Sequence, residues 1–118
     1  MLTMPEARRI ALSLPEATEE DHFGMPSFRV KKKIFATVPD RDTIRIMIGP
    51  DEVATAISTD PKAFEELRWG RQLAGITVHL AKADKRQVAD LLGEAWRRRL
   101  RRTWPRPFPL RDRKIAGV

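Results

Sequence analysis

A chain of 118 residues with 42% hydrophobic and 33% charged content and no cysteine has the size of one domain and can bury a core without covalent staples. The missing thiols exclude a disulfide framework, thiolate-ligated zinc, iron–sulfur clusters and a cysteine nucleophile, which fits a reducing, cytoplasmic location. Of the net charge of +7, residues 1–96 contribute −1, from 14 basic and 15 acidic side chains, and residues 97–118 contribute +8, from nine basic side chains against Asp112.

Thr3, Pro5 and Glu6 make a capping-box start with proline in the first turn. Ala7, Ile10, Ala11 and Leu14 follow at helical spacing until Pro15 stops the helix. Residues 16–22 read as an acidic loop, closed by Phe23-Gly24-Met25-Pro26. Residues 27–30 and 33–38 are short runs rich in β-branched and aromatic side chains, joined at Lys31 and Lys32. This predicts a tight hairpin, although lysines are unusual turn residues. After a turn at residues 39–42, residues 43–48 alternate cleanly, with Ile44, Ile46 and Ile48 on one face of a third strand. Gly49 and Pro50 end it, residues 51–57 suit a short helix, and Asp60-Pro61 breaks that helix.

Residues 64–69 predict a fourth strand, residues 70–75 a loop, and residues 75–80 a fifth strand with Ile76, Val78 and Leu80 facing inward. Asp84 and Gln87 open a long final helix, whose apolar face is traced by Val88, Leu91, Leu92, Ala95, Trp96 and Leu100. No signal-peptide pattern opens the chain, and no window approaches the ~20 apolar residues of a membrane span. The order is helix, three strands, short helix, two strands, long helix. It predicts an α+β domain over residues 1–102, an antiparallel sheet of about five strands packed against the N- and C-terminal helices. Residues 103–118 form an Arg/Pro-rich tail that favours extended conformations.

Several segments carry a family resemblance. They are Ala11-Leu12-Ser13-Leu14-Pro15, Phe23-Gly24-Met25-Pro26, Phe28-Arg29-Val30 with Lys33-Ile34-Phe35-Ala36, and Leu91-Leu92 with Glu94-Ala95-Trp96. In order and spacing, over roughly residues 5–100, the chain resembles the MmcQ/YjbR family. The resemblance implies a frataxin-like (CyaY-like) fold and a DNA-binding protein with a double wing, two hairpins that contact a duplex. It implies no catalytic residues and no cofactor.

The residues support the same expectation by a separate route. Lys31, Lys32 and Lys33 sit at the tip of the first hairpin, where ammonium groups reach phosphates at no cost to the core. Arg68 and Arg71 flank the second hairpin's tip beside Trp69, which either presents an aromatic face there or packs in the sheet. Arg97, Arg98, Arg101 and Arg102 make two i,i+4 pairs along one stripe of the last helix. Lysines at turns also serve solubility. The partner expected is nucleic acid, double-stranded DNA above all, held by phosphate contacts. No helix-turn-helix or zinc-finger pattern offers a base-reading element.

Two other classes stand beside this one: a small-molecule or weak metal-binding module using the face of the sheet, and a protein-interaction module acting through the basic tail. Enzyme chemistry has little to draw on. There is no tyrosine or cysteine, the serines are Ser13, Ser27 and Ser58, and no nucleophile elbow, P-loop or dinucleotide fingerprint occurs. His79 lies between inward-facing Val78 and Leu80 and so points to the opposite face. Glu19, Glu20, Asp21 and His22 are hard ligands in a row. Frataxin's acidic groups lie on the first helix and the neighbouring strand, whereas this run is expected before the first strand, as a solvated loop.

Overall fold

The computed structural model describes residues 2–102; Met1 and residues 103–118, and with them the predicted tail, lie outside the described residues. Helix α1 (Met4–Ser13) starts at the capping box: Glu6 N donates to Thr3 Oγ1 at 3.3 Å and Thr3 N to Glu6 Oε1 at 3.0 Å. It ends at Leu14, whose extended backbone is what the following Pro15 imposes on its neighbour. Strands β1 (Thr18–His22), β2 (Met25–Val30), β3 (Lys33–Asp40) and β4 (Thr43–Ile46) follow as a meander. Helix α2 (Pro50–Thr59) leads into the hairpin of β5 (Phe64–Trp69) and β6 (Gln72–His79). A 3₁₀ turn at Leu80–Lys82 then precedes helix α3 (Lys85–Arg102), which Asp84 caps by accepting from Gln87 N at 3.0 Å.

The six strands form one antiparallel sheet in the order β1-β2-β3-β4-β6-β5. Phe28, Val30, Ile44, Ile46, Ile76 and Val78 point to one face and are fully buried, together with Phe35 and Phe64. Ala7 and Ala11 of α1, Val53 and Ala56 of α2, and Val88, Leu92 and Ala95 of α3 close over that face in the same core. Trp96 packs at its edge and donates its indole N–H to the Pro15 carbonyl at 2.9 Å, tying the two terminal helices together. Among the described residues no helix lies over the other face of the sheet's middle, where Ser27, Thr37, Arg45 and Thr77 lie in register across four strands.

The α+β class and antiparallel sheet are as expected, but the described residues form six strands and not about five. The acidic run expected as a loop is edge strand β1, paired with β2 from Thr18–Arg29 to His22–Met25. Four of its five side chains are exposed, so no apolar alternation marks it. Its ladder rests on backbone hydrogen bonds and on the turn at Phe23 and Gly24, both at positive φ (52° and 86°). Residues 70–75, expected as a loop, shrink to a two-residue turn at Gly70 and Arg71, and Leu80 leaves the strand for the 3₁₀ turn. Gly75 lies inside β6 because a Cβ there would come within 2.1 Å of the Ile46 carbonyl oxygen.

Antiparallel pairing throughout the sheet fixes which turns share an end. β2, β4 and β5 run the same way, so the β2–β3 turn at Lys31-Lys32 and the β5–β6 turn at Gly70-Arg71 project from one end. The C-terminal part of α3 reaches that end too, because Arg99 Nε donates to the Ile34 carbonyl at 2.7 Å.

Candidate functional site

The open face of the sheet carries a cavity of about 640 Å³, lined by His22 from one edge strand and Trp69 from the other. Its cationic wall comprises Arg29, Lys32, Lys33, Arg45 and Arg99, and no carboxylate lines it among the described residues. Met25, Ile34, Met47 and the Thr37 side chain supply the less polar surface. Like charges gathered on a lining that holds no carboxylate among the described residues favour an anion within the cavity.

Each arginine reaches the cavity for a local reason. Arg29 sits on the open face because its neighbours Phe28 and Val30 face the core. Its Nε donates to Ser27 Oγ at 3.0 Å, and Nη2 to the Asp21 carbonyl at 3.3 Å. Ser27 is fully buried and donates in turn to the Glu20 carbonyl at 2.8 Å. Neutral oxygens therefore orient the Arg29 guanidinium without cancelling its charge. Arg45 lies between Ile44 and Ile46 on a central strand and projects outward between Thr37 and Thr77. Its Nε is buried with no hydrogen-bond partner, a state that costs about 1–3 kcal/mol or more for a charged donor. Arg99 comes from α3, held at the Ile34 carbonyl.

The tips add their own groups. Lys31 and Lys32 take the left-handed turn conformation (φ 52° and 68°), which costs a side-chain-bearing residue about 1 kcal/mol or more and which Asn-Gly would adopt more cheaply. Trp69 does not pack into the sheet: it is 60% exposed at the tip of β5.

The sequence-predicted residues thus divide. Lys32 and Lys33 line the cavity, whereas Lys31 pairs with Glu16 at 3.2 Å. Arg68 pairs with Glu66 at 2.9 Å and donates to the Arg71 carbonyl at 3.0 Å. Arg71 and Arg101 are exposed and Arg98 is half-buried. Arg97 Nε donates to Glu94 at 3.1 Å. Arg102 closes α3. The pairs at Lys31, Arg68 and Arg97 are exposed to solvent, so they exchange partners at a cost of about 0–1 kcal/mol.

The YjbR family profile matches residues 12–98. The chain belongs to the YjbR family. No curated protein and no solved structure matches it. The matched span takes in all six strands and every cavity residue except Arg99.

Three YjbR residues at the heart of the cavity, Arg29, Arg45 and Arg99, were not among those picked from sequence. Strand alternation was the signal for two of them: an arginine between Phe28 and Val30, or between Ile44 and Ile46, must face away from the core. For Arg99 there was none, since one arginine within Arg97–Arg102 looks like the next. His79 Nε2 bonds the Glu65 carboxylate on the neighbouring strand. Among the described residues, no group of three or more His, Asp or Glu side chains is arranged to hold a metal ion. No helix of the described residues is long and apolar enough to cross a membrane.

Proposed function

We propose that this YjbR protein binds nucleic acid through the phosphate backbone, with the two hairpin tips as wings and the end of α3 as a third basic element. One observation carries the reading. Both tips and the end of α3 meet at a single end of the sheet, around a cavity with five Lys and Arg side chains and no carboxylate among the described residues. Phosphates are the anions such a surface suits, because cations at successive positions release the counterions condensed on a polynucleotide. Lys32 and Lys33 contribute from one wing; Arg68, Arg71 and Trp69 stand at the other. No bond is made or broken in this role, and sequence preference is weak, since phosphates carry no base identity.

Fluorescence anisotropy on unrelated duplexes across a salt series tests it. Engaging about five phosphates gives a slope of log K against log salt near −4 to −5. Changing Lys32 and Lys33 together to Ala flattens that slope by about two units. A double variant that keeps the parent slope removes the first hairpin from the interface.

A further inference from the structure

A cavity of about 640 Å³ has the size of a small-molecule site, about 300–1,000 Å³, so what enters it is a monomer unit and not a duplex. Its walls differ in chemistry. Arg29 on β2 and Arg45 on β4 lie on either side of β3 and line the same cavity, one aimed by Ser27 and the Asp21 carbonyl, the other with its buried Nε unpartnered. An oxyanion is the group that satisfies such a donor, and a guanidinium meets phosphate oxygens with two parallel hydrogen bonds. Trp69 borders the same cavity with more than half of its surface exposed, and Met25 and Met47 add polarizable, adaptable surface. An exposed indole and guanidinium groups lining one cavity are the pairing that holds a nucleobase by its face and its phosphate by charge.

We propose that the cavity is a nucleotide site: it takes one unpaired phosphorylated nucleotide, with the phosphate on Arg29 and Arg45 and the base against Trp69. The inference rests on the nucleic-acid reading above and sharpens it. Duplex backbones engage the tips, whereas the cavity accepts a unit from a single strand, an overhang or a flipped position. A free nucleotide carries the same chemistry and is the other source.

The full-length chain, in a phosphate-free buffer, is titrated with deoxyadenosine monophosphate, deoxyadenosine, inorganic phosphate, a short single strand and a blunt duplex. Tryptophan emission and melting temperature are read together. Deoxyadenosine monophosphate and the single strand are expected to quench emission and raise the melting temperature. The nucleoside and inorganic phosphate each bind at least about tenfold more weakly, because each lacks one half of the recognition. A single strand more than about tenfold tighter than the mononucleotide names the strand as the source; equal affinity names the free nucleotide.

Two variants locate the site. Arg45→Met removes the mononucleotide response, and Trp69→Leu, at an exposed position outside the core, removes the quench and weakens binding about tenfold. The second variant matters because Trp96, whose indole N–H is bonded to Pro15, and Trp104 also emit. The proposal is overturned if both variants bind mononucleotide and single strand like the parent, or if inorganic phosphate binds as tightly as the mononucleotide. Blunt-duplex binding with its steep salt slope surviving either result leaves the backbone reading standing. A parent that binds neither polynucleotide nor mononucleotide overturns both, and one that binds the mononucleotide alone overturns only the backbone reading.

Discussion

Replacing Arg45 with Met should make the protein more stable while weakening its hold on anions. The Arg45 Nε is buried without a hydrogen-bond partner on a central strand. A buried donor left unpaired forfeits about 1–3 kcal/mol, whereas an apolar group of similar shape incurs no such loss. Methionine keeps a straight aliphatic stem opposite Thr37 and removes one charge from the cationic cavity wall. Arg45 is only half-buried, so the low end of the range applies. The expected gain is about 1–2 kcal/mol, and each kcal/mol moves the melting temperature of a domain of 60–100 residues by about 4–8 °C. Differential scanning calorimetry in a phosphate-free buffer measures it. Adding single-stranded oligonucleotide should then raise the parent's melting temperature and leave the variant's unchanged. A variant less stable than the parent would refute the reasoning, since it would mean that Arg45 contributes to the fold through a satisfied interaction.

Two further outcomes concern the scaffold. Gly75→Ala should destabilise by about 1–3 kcal/mol or more, because the added Cβ meets the Ile46 carbonyl oxygen at 2.1 Å and must part β4 from β6; an unchanged urea midpoint would contradict that. Acid should also weaken the fold through Glu6 and Asp40, whose carboxyls titrate below their ordinary values. Glu6 is held low chiefly by the Thr3 backbone N–H, and Asp40 by the Asp42 N–H and then the Thr43 hydroxyl. A depressed folded-state value means that the unfolded chain binds the proton first. Their contribution is therefore complete above the ordinary carboxylate range, about pH 4, and is lost as pH falls through the folded values. Melting temperatures from about pH 6 to about pH 2 should fall less steeply for Asp40→Asn than for the parent, and parallel curves would exclude Asp40.

Local signals carried much of the fold. The capping box at Thr3, the Asp84 cap, the alternation of Ile44 and Ile46, and the proline stop after Leu14 each act within a few residues. They place α1, β4 and α3 without reference to anything distant. The two lysines at the β2–β3 turn were legible as a turn even though their chemistry argued against it, because the strands on either side are strongly patterned. Strand β1 was not legible, since an edge strand with exposed side chains is specified by its partner's backbone and not by its own alternation.

The basic tips were visible in sequence, but their meeting at one end of the sheet was not. That depends on the strand order, in which β6 lies between β4 and β5 and turns the second hairpin to point the same way as the first. The cavity needed more still. Arg29, Arg45 and Arg99 lie on two strands and a helix far apart in the chain, and register and helix packing alone bring them together beside Trp69. Composition determined that this chain carries excess positive charge at its C-terminal end; the tertiary structure decided that a second, carboxylate-free cluster gathers on the open face, because pairing distances across a sheet are set by register and not by separation along the sequence.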